Sequence, residues 1–174
     1  MSVSNKNYGY IGLVTVGLGF HCFVTSFRVS KARYSCLTTE YLETQYPEEN
    51  AKHIKEFGCP ISKGAHPDNG LGRLSDKLDF ISWVKLQNAQ RAHGNYLETI
   101  TFATGSLLVG GLYFPRFCAT VGAIHIVGRE LYASGYVNGG AKGRTTGFLI
   151  VMSSLMTLLG AAVTGSIKHT GLLK

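Results

Sequence analysis

The sequence predicts an all-α membrane protein, a bundle of four transmembrane helices forming a single domain over residues 1–174. Three observations predict it. Four apolar runs each come close to the roughly 20 residues that cross a hydrocarbon core. Glycine is frequent, at 22 residues, and much of it lies inside those runs, where small side chains let helices approach closely. Basic residues flank the runs instead of interleaving with aromatics on a stacking surface. The net charge of +7 therefore points to membrane flanks and a lipid bilayer, and no nucleic-acid partner is expected.

The first span covers residues 8–27, with His21 as its sole ionisable group. It lacks a basic leader region and is followed directly by Arg28, Lys31 and Arg33, so it reads as a span and not as a cleaved signal. An enlarged polar connection, residues 34–82, comes next and holds eight carboxylates: Glu40, Glu43, Glu48, Glu49, Glu56, Asp68, Asp76 and Asp79. Within it, 40–57 is expected as a short surface helix and the Gly- and Pro-rich stretch 59–72 as loop. Residues 71–83 are expected to run into the second span as an interfacial helix, with Trp83 at headgroup level. Span two covers 95–114, and Pro115 enforces a tight hairpin into span three, 117–136. Span four, 145–167, carries no charge. The basic residues concentrate between spans one and two and between spans three and four. That places both long connections in the cytosol or mitochondrial matrix. Free in water, residues 38–79 would bury too little apolar surface to offset their ordering entropy. They are therefore expected to be held by neighbouring subunits or foreign chains.

Two polar stripes stand out. Arg91, Asn95 and Glu98 share one helix face at i, i+4 and i+7, where ionisable side chains enter an apolar run. A cation, an amide and an anion on one stripe suit a small zwitterionic ligand; they equally suit an interhelical salt bridge with Asn as a packing donor. Arg129, Tyr132 and Tyr136 repeat the arrangement in span three. They suit a carboxylate and a thiolate, or else an aromatic belt with a snorkelling arginine. His125 reads as an interhelical hydrogen-bonding residue. Cys22 and Cys118 read as buried packing, and no Cys/His ligand spacing occurs, so no metal site is expected.

The ordered set of motifs resembles the MAPEG superfamily (membrane-associated proteins in eicosanoid and glutathione metabolism), and most of all its microsomal glutathione S-transferase type three branch. The matching pieces are Asn7-Tyr8-Gly9-Tyr10, Val29-Ser30-Lys31-Ala32-Arg33, Gln90-Arg91-Ala92-His93 with Asn95 and Leu97-Glu98, then Gly110-Gly111-Leu112-Tyr113-Phe114-Pro115-Arg116. Ile126-Val127-Gly128-Arg129, Leu131-Tyr132-Ala133 and Gly135-Tyr136 complete it. The resemblance implies a four-helix bundle assembled as a homotrimer, with glutathione as co-substrate between subunits. It implies that Arg91, Asn95 and Glu98 hold the peptide's ends and that Tyr132 and Tyr136 contact it. It further implies that Arg33 and Arg129 fill the family's basic positions. The family's thiol-activating basic residue stands seven positions after the second tyrosine, and here that position is Gly143, between Lys142 and Arg144. Arg144, with Lys142 as substitute, is therefore expected to supply the charge.

Two functions follow. One is a membrane-bound glutathione transferase or peroxidase acting on hydrophobic electrophiles or lipid hydroperoxides, in the endoplasmic reticulum or a mitochondrial membrane. The other is a non-catalytic accessory subunit of a larger membrane complex, such as a mitochondrial respiratory one, that kept the bundle and gained a docking loop.

Overall fold

Every regular element is an α-helix, and the computed structural model describes residues 5–171, with side chains from residue 7. The order is α1 (Asn5–Cys36), α2 (Thr39–Gln45), α3 (Pro47–Phe57), α4 (Phe80–Tyr113), α5 (Pro115–Gly143) and α6 (Thr145–Thr170). The chain divides into two units, Met1–Thr25 with Ala92–Lys174, and Ser26–Arg91. The divide falls within α1 and α4, each of which contributes residues to both.

The first unit is a four-helix bundle. Ile11, Leu18 and Cys22 of α1 meet Tyr96 and Leu107 of α4, Cys118 and Ala119 of α5, and Leu158 and Ala161 of α6 in one buried cluster. Small residues make the approach possible. A Cβ at Gly111 would meet the Ile11 side chain, and one at Gly128 would meet Ile150 and the Val151 backbone. The outer faces are apolar instead of polar: Leu13, Val16 and Phe20 on α1 and Phe148, Leu149 and Val163 on α6 are exposed. This is the pattern of a bundle solvated by lipid. Helices α1 and α6 are long and apolar enough to cross a membrane. Helices α4 and α5 have the length too, at 34 and 29 residues, and carry Asn95, Glu98, His125, Arg129 and Glu130 along it. The hairpin between α4 and α5 is as tight as Pro115 requires: Phe114 alone separates the helices, and Pro115 occupies the first turn of α5.

The second unit has its own core. Cys36, Leu37, Leu42, Tyr46, Ile61, Ala65 and Leu86 pack together, with Leu74 and Leu78 against them. Residues 38–79 therefore bury more apolar surface within their own chain than their composition suggests. The expected surface helix over 40–57 is two helices. Pro47 has no N–H to give and pushes Tyr46 out of helical geometry, to φ −133° and ψ 51°. Thr38 caps α2 by accepting from the Tyr41 N–H at 3.1 Å. Gly58, at φ 73°, ends α3 in the left-handed region. Helix α4 starts at Phe80, not near residue 71, because the Asp79 carboxylate accepts the Ile81 and Ser82 N–H groups at 3.0 Å each. The preceding stretch is knitted by Asp68, whose carboxylate accepts from the N–H groups of Gly70, Gly72 and Leu74.

Candidate functional site

The site is built on α5. His125, Arg129, Tyr132 and Tyr136 stand one turn apart along a single stripe, so their side chains project in a column. Arg129 is 1% exposed. Its guanidinium donates to Asn95 Oδ1 of α4 at 2.9 Å, to Thr99 Oγ1 of the same helix, and to His125 Nε2 at 3.4 Å. It also lies over the Tyr96 ring, 4.7 Å from the centroid. All these partners are neutral. His125 is held in turn by the Ser154 hydroxyl of α6 at 2.9 Å, which is the interhelical hydrogen bond expected of it.

A second cation arrives where α5 gives way to α6. Arg144 donates to the Tyr132 hydroxyl at 3.1 Å, and its guanidinium lies 5.0 Å from the Tyr136 ring centroid. Tyr132 and Tyr136 meet edge to face at 5.9 Å, and Arg129 lies 5.9 Å from the Tyr132 ring. The turn that delivers Arg144 depends on two glycines. Gly140 sits at φ 61° and ψ −153°, a region essentially closed to other residues, and kinks the end of α5. The chain then folds back so closely that a Cβ on Gly143 would overlap the carbonyl oxygen of Gly135. The position that the resemblance reserves for a cation therefore has no room for a side chain. Arg144, half-buried, points at the tyrosines from the next residue, while Lys142 is exposed.

A third group crosses the bundle beside these. His21 of α1 lies 3.1 Å through Nε2 from the Glu130 carboxylate and 3.2 Å through Nδ1 from the Tyr96 hydroxyl. With Glu130 ionised, Nε2 donates to it, and the Tyr96 hydroxyl beside Nδ1 also reaches the Leu18 carbonyl at 3.3 Å. The ring that supports Arg129 is thus itself pinned from α1.

The structure brings together Asn95, Arg129, Tyr132, Tyr136 and Arg144. It does not pair Arg91 with Glu98: both are exposed, and no ion pair joins them. Arg33 belongs to the second unit and is buried there, its guanidinium donating to the Gly64 carbonyl at 3.0 Å and to the Asp68 carbonyl. Its geometry is that of a loop clamp. Thr99, Tyr96 and the contact of His21 with Glu130 escaped the sequence reading. Thr99 was findable, four residues after Asn95 on the same face; the His21–Glu130 contact joins residues 109 apart and leaves no local signal. The cysteines are all free, and among the described residues no three His, Cys, Asp or Glu side chains gather as a metal site would require.

Two cations and two tyrosines at one end of a lipid-facing bundle can bind an anionic, hydrogen-bonding ligand and stabilise a developing negative charge. The MAPEG family model matches residues 11–164, all four helices of the bundle and the whole of this cluster. The chain belongs to the MAPEG family of membrane-associated proteins.

Proposed function

We propose that this protein is a membrane-bound glutathione transferase or peroxidase acting on hydrophobic electrophiles or lipid hydroperoxides, closest in kind to the type three microsomal enzymes. Arg129 carries the reading. A full charge whose direct partners are neutral, with Glu98 acting on it only from beyond hydrogen-bond reach, is costly in a buried bundle unless a closer anion completes it. Glutathione brings two carboxylates and a thiol. A cation beside that thiol lowers its pKa, and Arg144 is the cation placed to do so, with Lys142 as a weaker substitute. The thiolate then attacks the electrophilic carbon; the C–S bond forms as the bond to the leaving group breaks. With a hydroperoxide, sulfur attacks oxygen, the O–O bond breaks, the alcohol departs, and a second glutathione converts the sulfenic acid to disulfide and water. The Tyr132 hydroxyl, accepting from Arg144, keeps its own proton to donate to sulfur.

The reading includes four membrane spans in the endoplasmic reticulum or a mitochondrial membrane, with both long connections on the cytosolic or matrix side. Arg91 and Glu98 are exposed on one chain, and Glu98 stands between exposed Leu97 and Phe102. A carboxylate so flanked is stabilised by a neighbouring copy, which supports a homotrimer with glutathione between subunits, touching Asn95 and Tyr136.

Calorimetry with reduced glutathione, followed by ultraviolet difference spectra of the complex, tests this. Saturable binding with a thiolate band near neutral pH is expected; absence of binding overturns it. Binding without a thiolate band favours the second reading, an accessory subunit of a larger membrane complex. That reading draws on the second unit, whose own core supports an open cleft of about 540 Å³ beside α3, lined by Phe57, Ile61, Pro67 and Leu74.

A further inference from the structure

A cleft of about 500 Å³ runs between α1 and α5 on the outside of the bundle. Its walls are two helical stripes. Tyr10, Leu13 and Val14 of α1 stand at i, i+3 and i+4; Arg116, Ala119, Thr120 and Ala123 of α5 stand at i, i+3, i+4 and i+7. The small residues on α5 make the trough, and Leu13, 72% exposed, makes its rim. From Arg116 to Ala123 the trough runs on the order of 10 Å along the helix, and exposed Val127 extends the apolar track by another turn. One end is different. Arg116 is exposed there, its Nε donating to Asn7 Oδ1 at 3.1 Å, and among the described residues it has no carboxylate partner. The carboxylates of this unit are Glu98 and Glu130, and neither lines the cleft.

We infer that this cleft is a binding site for one acidic phospholipid, an acyl chain lying along Ala119, Thr120 and Ala123 and the phosphate on Arg116. The argument is complementarity. An apolar trough alone accepts any chain; a trough ending in an unpaired cation at the start of a helix selects an amphiphile with a negative head. The Nε–Asn7 bond leaves the two terminal nitrogens with no hydrogen-bond partner among the described residues, and two such donors on one planar guanidinium match phosphate oxygens. The inference stands independently of the proposed glutathione chemistry, because none of these residues belongs to that cluster.

The test uses the full chain in nanodiscs of phosphatidylcholine doped with phosphatidylglycerol, extracted into mild detergent and analysed by native mass spectrometry. One phosphatidylglycerol per chain is expected to survive extraction in preference to phosphatidylcholine. Arg116→Gln should lower its retention about tenfold, the scale of one charge-assisted contact, and Arg116→Lys should restore part of it. Ala123→Leu, which fills the trough and leaves the charge, should also lower retention. Equal retention of the two lipids by the unaltered protein overturns the inference, since the cleft then holds ordinary surrounding lipid. Displacement of phosphatidylglycerol by millimolar inorganic phosphate overturns it too, since the site then recognises an anion and not a lipid.

Discussion

Arg129 invites a substitution that separates ligand binding from folding. Replacing a buried charge with an apolar side chain of similar length is often neutral or stabilising. Arg129→Met should therefore leave the thermal melting of the glutathione-free protein within about 1 kcal/mol of the original, or raise it. Glutathione affinity should fall by roughly 2–4 kcal/mol, the usual loss when one member of a desolvated ion pair is removed. If melting collapses instead, Arg129 is structural. Arg144 needs a different readout, since its task concerns the thiol. Arg144→Ala should erase the thiolate band of bound glutathione while binding persists, and Lys142→Ala should leave the band in place; the reverse pattern would reassign the role. At this scale the sequence was partly transparent. Asn95, Arg129, Tyr132 and Tyr136 were visible because helical spacing puts them on shared faces. Arg33 came from the resemblance and not from spacing, and in this chain the carbonyls of Gly64 and Asp68 claim its guanidinium.

Helix α5 and its exit explain why the expected cation position is a glycine. Gly143 and Gly135 touch backbone to backbone, and Gly147 is pressed against the backbone of Tyr132. Gly143→Arg would place a cation at the family's position, yet its Cβ has nowhere to go. It should lower thermal stability and any transferase activity, not raise them; a gain in thiolate formation would show that the turn adapts and that the close contact is dispensable. Gly140 sets the register of this turn, so the helix end and the site are one feature. The long helices were legible from apolar length alone. The ends of α1 and α4 were not: both helices continue beyond the apolar runs into the polar unit, where packing on a second core holds them.

For the molecule as a whole, the second core is what the sequence concealed. Its members, from Cys36 to Leu86, stand in ones and twos among charged residues, so no single apolar run gathers them. The chain's single tryptophan, Trp83, lies in this unit and reports on it. Two carboxylates there titrate low. The Ser82 hydroxyl and N–H hold Asp79 below the usual range; for Glu49 its own N–H, then Arg73, do the same. A depressed pKa favours folding above the ordinary carboxylate range and loses that contribution as pH falls through the folded value. Unfolding followed by Trp83 fluorescence should thus shift to lower temperature on acidification. The pair Glu49→Gln with Asp79→Asn should flatten that dependence; an unchanged slope would assign it to other groups.

The contact between His21 and Glu130 has a consequence in time. Ribosomes make α1 first, and the carboxylate that meets its imidazole is synthesised 109 residues later. Until then the one imidazole of the first apolar run has no partner from α5 and no Tyr96 hydroxyl from α4. A nascent chain stopped before α5 should therefore hold its first helix in the bilayer less firmly than the finished protein does. In His21→Leu that helix would be secure from the start, at the expense of the support beneath Arg129. The polar link that stiffens the mature site is also a delay built into its assembly.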